Sequence, residues 1–540
     1  MTIESFPVEL QGWIQRYVQG EEAVRALYDY PPFGNEAERL RELERYEFKR
    51  ESLRKALHEY QQRYEHREKA MAQIDKLQDE RSVVVVGGQQ AGLLTGPIYT
   101  IAKAVTVLLK AKEEEKKLNV PVIPVFWIAG EDHDWEEVNH IHVHSHDGKV
   151  RKVKYEGRTN KGAPVSEQPI DASAIQQWLE KVFLNCRETP YSRKLYEKIQ
   201  HFAEKSATVS DFFAEVMLWL FRSQGLVMLD PQEPLFRHLM ADTWTSLIEE
   251  NQAVRQAFTD GKKKIEDVHD GEAFIEVADE HTHLFYSANG RREKLVMHHD
   301  GELSLGNGQY KMSRSDWSRE TQLHPEKFSA NVYTRPFVQE KLLPVLTFIA
   351  GPGEAAYWSM VGPLFHHFGR RVPPVAPRLQ QTYVDRTSEK TLHSESLSAL
   401  NVANEGTSDY INRLRQRNQQ LNTDELLEQS QALAAEGHQV MAKALYTLAP
   451  SEERFTDKNF QRLQEVLKDL QLRIEKKQFE RIAPRVKKLQ QLEQRLYPNG
   501  KPQERVLNIF QLLNEYGEDR VLTLFDTMEW QEFRHQFLYL

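Results

Sequence analysis

Residues 83–97 read Val83-Val84-Val85-Val86-Gly87-Gly88-Gln89-Gln90-Ala91-Gly92-Leu93-Leu94-Thr95-Gly96-Pro97, and this stretch decides the fold. Four consecutive valines are apolar on both faces, as a strand covered on both sides must be. The run ends in a Gly-rich turn. Pro97 suits the first position of a following helix, where its fixed φ helps and its missing N–H costs nothing. Strand, Gly-rich turn and helix form the opening unit of a parallel α/β sheet. Such a turn exposes backbone N–H groups beside a helix N-terminus, which favours an anion. Gly88, Gln89, Gln90, Gly92 and Thr95 are therefore candidate substrate- or nucleotide-binding residues. The stretch has neither the Gly-Lys-Ser/Thr ending of a Walker loop nor the GxGxxG pattern, so a purely structural turn is the plain alternative.

Outward from this unit, short apolar runs recur at 122–128, 226–229 and 345–349, with helical stretches at 98–117, 211–223 and 353–368 between them. The alternation predicts a Rossmann-type parallel sheet in residues 83–379. Two stretches break the rhythm and read as β-hairpin insertions, near 140–160 around Asp147-Gly148 and near 270–330 around Asn289-Gly290. Residues 1–82 are expected to be helical, since Leu53, Leu57, Tyr60, Tyr64, Met71 and Ile74 follow 3–4 spacing and 35–82 contains neither Pro nor Gly. Residues 380–500 predict long helices forming a coiled coil. Leu463, Leu467, Leu470 and Ile474 keep heptad spacing, and the phase slips near Pro484 before Ile482, Val486, Leu489 and Leu496. Residues 501–540 are read as a helical tail.

Composition narrows the function. The 540 residues are 40% hydrophobic and 28% charged with a formal net charge of −9, which is ordinary for a soluble protein and argues against a nucleic-acid partner. No run approaches the ~18–20 apolar residues of a membrane helix. The opening MTIESFPVEL has neither a basic leader nor an apolar signal core, so a cytoplasmic location without membrane contact is expected. The single cysteine, Cys186, excludes an intramolecular disulfide framework and a Cys-rich zinc site.

Two further segments carry chemistry. Glu131-Asp132-His133-Asp134 follows the second strand, and ionisable residues at the carboxyl end of a buried strand are costly unless they face a cleft. His133 is a candidate general base, with Glu131, Asp132 and Asp134 able to raise its pKa, and Asn139 closes the motif. The third segment holds Arg335, suited to gripping an oxyanion, followed by Gly351-Pro352-Gly353-Glu354 at a strand end. Gly351 and Gly353 can face an anion, and Glu354 can pair with an amine or accept a proton; an Arg–carboxylate staple is the structural alternative. Three signals are discounted. Lys311-Met312-Ser313-Arg314-Ser315 resembles a KMSKS loop but precedes a strong strand–helix unit. His140, His142, His144 and His146 share a strand face without matching ligand spacing, so no metal site is expected. Cys186 lacks an obvious His partner.

GGQQAGLLTGP (87–97), PVFWIAGEDHDWEEVNH (124–140) and NVYTRPFVQEKLLPVLTFIAGPGEAAYW (331–358) together resemble the bacillithiol biosynthesis cysteine-adding enzyme family (BshC). The resemblance implies a Rossmann-type core with connecting-peptide insertions, a coiled-coil domain supporting a homodimer, and the last step of bacillithiol synthesis. That step joins cysteine to the amino group of glucosaminyl-malate. The reaction, rather than any motif, leads one to expect ATP or another nucleotide with Mg²⁺, activating cysteine as an adenylate or an acyl phosphate. His133, Asp132, Asp134, Glu131 and Arg335 are the candidate catalytic residues. Two rivals stand beside this reading. One is a metal-dependent amide or ester hydrolase using Asp132, His133, Asp134 and His140; the other is a non-catalytic, metabolite-binding coiled-coil protein.

Overall fold

The valine run becomes a strand that continues to Gln89 and is buried at every position before that residue. In chain order the strands are Thr2–Pro7 (β1), Val83–Gln89 (β2), Val122–Ile128 (β3), His140–His144 (β4), Val150–Lys154 (β5), Val227–Leu229 (β6) and His281–Ala288 (β7). They continue with Arg291–Met297 (β8), Leu303–Leu305 (β9), Phe328–Ala330 (β10), Val345–Ala350 (β11), Val375–Pro377 (β12), Gln380–Val384 (β13) and Arg534–Tyr539 (β14). The computed structural model describes residues 2–8, 12–530 and 532–540. They divide into two units, one of 1–383 with 503–540 and one of 384–502.

Five strands form one parallel sheet in the order β12-β11-β2-β3-β6. Counted by chain position within the sheet this is 5-4-1-2-3, the Rossmann order, which reverses direction beside its first strand. Helix Tyr99–Leu118 follows β2 and ends at Asn119 in the left-handed conformation (φ 52°), which stops the helix. Each fully buried valine of β2 contributes roughly 1.5–3 kcal/mol relative to an exposed one. Both insertions form where the sequence places them. β4 and β5 pair as an antiparallel hairpin between β3 and β6, and β10-β7-β8-β9 make a separate antiparallel sheet before β11. Its turn has Asn289 and Gly290 both at positive φ (52° and 70°), as an Asn-Gly hairpin requires.

Three expectations need correction. The N-terminal segment begins with a strand, and its amphipathic run is split into helices Arg50–Gln61 and Glu68–Asp75, because His66 adopts a φ of 57° that no right-handed helix accepts. The stretch 353–368 forms two short helices, Pro352–Trp358 and Gly362–His367, the second with Pro363 in its first turn, where it cannot continue the first. The tail contains helices Ile509–Tyr516 and Glu518–Thr527 but ends in β14, which pairs antiparallel with β1 and lies between β1 and β13. The pairing partner is more than 500 residues away, so no local pattern announces it.

The second unit is helical. Thr423–Leu448 and Glu453–Phe479 run antiparallel, tied at one end by Thr423 to Glu475 and at the other by Tyr446 to Thr456. The phase slip is a helix break: Ala483–Leu496 starts afresh with Pro484 in its first turn and buries Val486, Leu489, Leu492 and Leu496. Of the earlier heptad positions, Leu463 and Leu470 are exposed (36% and 56%) and Leu467 and Ile474 are half-buried.

Gly88 lies opposite Trp127 in the β2–β3 register, and a Cβ there would collide with the Trp127 carbonyl oxygen. Gly88→Ala is expected to destabilise the first unit by about 1–3 kcal/mol, because backbone rather than a flexible side chain must move. The check is a lower urea midpoint at unchanged m-value.

Candidate active site

A cavity of about 700 Å³ opens at the carboxyl ends of β2, β3 and β11. In open α/β sheets this is where ligands bind, beside the strand at which the order reverses. The fold gathers there three segments far apart in sequence: Gly88, Gln89 and Gln90; Glu131, Asp132 and His133; and Arg335, Gly351, Gly353 and Glu354. Gly92, Thr95, Asp134 and Asn139 do not line it.

The exclusion of Gly92 and Thr95 has a clear cause. After β2 the chain folds through Leu94 (φ 49°), Thr95 (φ 76°) and Gly96 (φ 68°), which buries Thr95. Asn508 then donates its Nδ2 hydrogens to the Leu94 and Gly96 carbonyls (2.9 and 2.6 Å), and Ile98 N–H donates to the Leu507 carbonyl (2.8 Å). The helix end expected to hold an anion is covered by the returning C-terminal chain. One turn into the same helix, Lys103 does what that end does not. It is 1% exposed, and its Nζ donates to the Gly88 carbonyl (2.6 Å) and Gln89 Oε1 (3.1 Å) while pairing with the Glu354 carboxylate. Burial lowers the Lys103 pKa, and Glu354 opposes that shift. Glu354 also accepts the Gly351 N–H (2.7 Å) at the start of its own helix. This carboxylate, expected to meet an amine or proton of a ligand, ties β11 to β2 instead.

The acidic motif separates by environment. Glu131 is buried and bonded by Arg237 Nη2 at 2.7 Å, a structural ion pair rather than a free acid. Asp132 and His133 remain about half exposed, with side chains 47% and 53% accessible. Gln90 Nε2 donates to Asp132 Oδ2 (3.2 Å), and His133 Nδ1 lies 3.6 Å from Asp132 Oδ1. Asp134 caps helix Trp135–Val138 by accepting the Glu136 N–H (3.2 Å), which takes it out of the site. Asn139 is buried and its carbonyl accepts the Tyr155 N–H (2.7 Å), so it anchors the β4–β5 hairpin. The set Asp132, His133, Asp134 and His140 is thus not assembled around one point. No group of three or more His, Cys, Asp or Glu placed to hold a metal occurs among the described residues.

Arg335 is partly buried and has no carboxylate within 4.0 Å among the described residues; its Nη2 donates to the Tyr357 hydroxyl at 2.5 Å. The structural staple considered from sequence is therefore absent, and the guanidinium faces the cavity with a neutral partner. Burial raises the Tyr357 pKa more than Arg335 lowers it, so the phenol stays protonated.

Sequence reasoning missed part of the wall. His281, Phe285, Arg292 and Lys294 line the cavity from β7 and β8, the hairpin read as decoration. Arg378 also lines it, held bidentate by Glu504 (2.9 and 2.7 Å). The only local hint was a run of charged residues, Arg291-Arg292-Glu293-Lys294, directly after the Asn-Gly turn. The discounted signals lie elsewhere. Lys311 pairs with Asp300 and Glu302, Ser313 caps helix Arg314–Leu323, and none of them lines the cavity. Burial pushes the Cys186 thiol up to about 12.

Comparison with known proteins covers nearly the whole chain. Residues 1–379 match the family model described as the bacillithiol biosynthesis BshC N-terminal Rossmann-like domain, and residues 381–540 match that of the BshC C-terminal coiled-coil domain. Curated relatives named as candidate cysteine ligases BshC include one from Halalkalibacterium halodurans, 37% identical over 483 residues, 89% of each chain. Another, from Anoxybacillus flavithermus, is 34% identical over 507 residues, 94% of this chain and 93% of the relative. A third, from Oceanobacillus iheyensis, is 32% identical over 512 residues, 94% of each.

Removing the Lys103 ammonium would leave the Gly88 carbonyl and the Glu354 carboxylate without their shared donor. Lys103→Met is expected to destabilise the first unit by about 2 kcal/mol, below the 3–5 kcal/mol of a wholly buried pair because Glu354 is partly open to water. Urea titration of the variant checks this, and a midpoint equal to wild type contradicts it.

Proposed function

The chain belongs to the BshC family of bacillithiol biosynthesis, and from that premise we propose that it is a ligase joining cysteine, through an amide, to the amino group of glucosaminyl-malate as the last step of that synthesis. The observation that carries the reading is Arg335, a cavity-facing guanidinium whose bonded partner is a neutral phenol.

Amide formation needs an electrophilic acyl carbon, a neutral amine and stabilisation of the oxyanion that develops as the amine attacks. Arg335 serves the last need. Its planar fork suits the two oxygens of the cysteine carboxylate and is more valuable in a partly water-excluded site than in bulk solvent. His133 serves the second: it stands half exposed at the cavity, with Asp132 Oδ1 3.6 Å from its Nδ1, and accepts the amine proton. The thiol belongs to the substrate, since the protein's own Cys186 is buried.

The first need calls for a leaving group on the carboxylate, which ATP or another nucleotide with Mg²⁺ supplies as co-substrate. The Gly92–Gly96 turn does not fit its phosphates, because Leu507 and Asn508 cover that helix end. The residue that does fit anionic oxygens is Arg335, with Asp132 and Glu137 for the cation; the Gly351 N–H is already held by Glu354. Cysteine-dependent exchange of labelled pyrophosphate into ATP marks an adenylate, and release of ADP with phosphate marks an acyl phosphate.

The working form in this proposal is a homodimer joined through the long helices of 384–502. Leu433, Val440, Met441 and Leu448 are 69–84% exposed on one helix, and Val466 and Leu470 are 63% and 56% exposed on the other. Apolar side chains at such density rarely face water on a monomer, and a second copy would bury them as a coiled-coil seam does. Val440→Glu combined with Met441→Glu is expected to give the monomer mass by light scattering; a dimer mass in that variant rejects this contact.

Arg335→Lys keeps the charge and loses the fork. It is expected to lower kcat/KM for amide formation by about 100-fold, in the range measured when one oxyanion donor is lost. Product formation from cysteine, glucosaminyl-malate and nucleotide is the assay, and an unchanged rate would reduce Arg335 to a structural partner of Tyr357.

A further inference from the structure

Arg292 is a cavity-wall cation with no ion-pair partner of its own among the described residues. It leaves β8, passes over the Phe285 ring of β7 at 3.7 Å, and reaches β10, where Nε donates to Ser329 Oγ (3.0 Å) and Nη2 to the Ala330 carbonyl (2.7 Å). Those contacts fix the guanidinium plane and use two of its three nitrogens; Nη1 has no partner among the described residues. No carboxylate lies within 4.0 Å of it among those residues, in contrast to Arg237, Arg378 and Lys103 nearby, each of which holds one. Burial lowers its pKa to about 10, so it is still a cation at neutral pH. Lys294, two residues along the same strand, lines the same cavity from the same face and likewise has no carboxylate within 4.0 Å. A partly desolvated cation held in place without a counter-ion is unfavourable unless a ligand brings one.

We propose that Arg292 and Lys294, carried by the inserted antiparallel sheet, form the subsite that takes a carboxylate of the acidic acceptor. The acceptor class is an amino compound bearing a carboxylic acid remote from its amine. This rests on the proposed ligase reading, in which the acceptor carries a malyl group. It divides the labour within the cavity. The Rossmann strand ends handle the reacting acyl and amine groups, and the insertion recognises the part of the acceptor that does not react. Binding energy from such a remote group orients the amine without touching the bond that forms. Arg292 is thus a specificity-determining residue, and Phe285, Ser329 and Ala330 position it.

The test uses the full chain with Arg292→Gln, Arg292→Lys and Lys294→Gln. In steady-state assays Arg292→Gln is expected to raise the acceptor KM by about 10- to 100-fold, the range for one charge-assisted hydrogen-bond pair, while the KM values for cysteine and nucleotide stay within about twofold. Lys294→Gln should raise acceptor KM by only a few-fold, as its ammonium is more exposed, and Arg292→Lys should recover part of the loss. An amino-sugar glycoside without the malyl group should react equally with wild type and Arg292→Gln. Calorimetric titration with malate alone should give a binding signal for wild type that is lost in Arg292→Gln at an unchanged melting temperature. An unchanged acceptor KM in folded Arg292→Gln, or a shift falling on the nucleotide instead, overturns the proposal. If wild type makes no amide from any acidic acceptor, the ligase reading fails, and the malate titration still decides whether the subsite exists. Should Arg292→Gln not fold, Lys294→Gln and Arg292→Lys carry the same comparison.

Discussion

The ammonium of Lys103 sits where water does not reach, and the arrangement of the site depends on it. A buried cation must be paired and hydrogen-bonded on every side. Lys103 meets that demand by drawing together the last carbonyl-bearing turn of β2 and the first turn of the helix after β11. The two strands are neighbours in the sheet, but the sheet's own hydrogen bonds stop before the loops begin. Beyond that point the Lys103–Glu354 pair, with Glu354 also holding Gly351 N–H, keeps the loop ends in register. The cavity floor is thus cross-linked by the protein's own groups.

Around this floor, charges fall into two classes. Glu131 with Arg237, Arg378 with Glu504, and Lys103 with Glu354 are mutually satisfied, and removing either member would leave a charge stranded. Arg335, Arg292 and Lys294 have no carboxylate within reach among the described residues, and Asp132 with His133 stays half open to solvent. Members of the satisfied pairs line the same cavity as the open groups and tie its segments together. A site meant to receive an anionic substrate needs both classes, since a cation already paired inside the protein has little left to offer a ligand.

The C-terminal chain completes the first unit. Glu504 supplies the partner of Arg378, and Leu507 with Asn508 satisfy backbone groups at the start of helix Tyr99–Leu118. Those groups would otherwise be orphaned in the interior, where each costs on the order of 1–3 kcal/mol. The same closure explains why the 92–96 turn is not an anion seat in this chain: the Leu94 and Gly96 carbonyls and the Ile98 N–H are bonded by the C-terminal segment, and Thr95 is buried away from the cavity.

The sequence by itself determined the parallel core, both hairpins and the helical second unit, because each is announced by local patterns. Uninterrupted valines require burial on both faces, Asn289-Gly290 requires positive φ, and Pro484 requires a new helix. It also placed Gly88, Gln89, Gln90, Asp132 and His133 at strand ends, which is why they meet in one cavity, and it singled out Arg335, which joins them from the first turn of helix Arg335–Leu342. Only the tertiary structure decided which of those residues are free. Glu131 and Glu354 look the same in sequence as Asp132, yet their partners, Arg237 and Lys103, lie 106 and 251 residues away. The β1–β14 pairing and the Asn508 plug are equally non-local. So is the turning of Arg292 from an apparent surface hairpin toward the site. Periodicity reports which face of an element is buried; it carries no information about which charge, hundreds of residues distant, the fold will set against it.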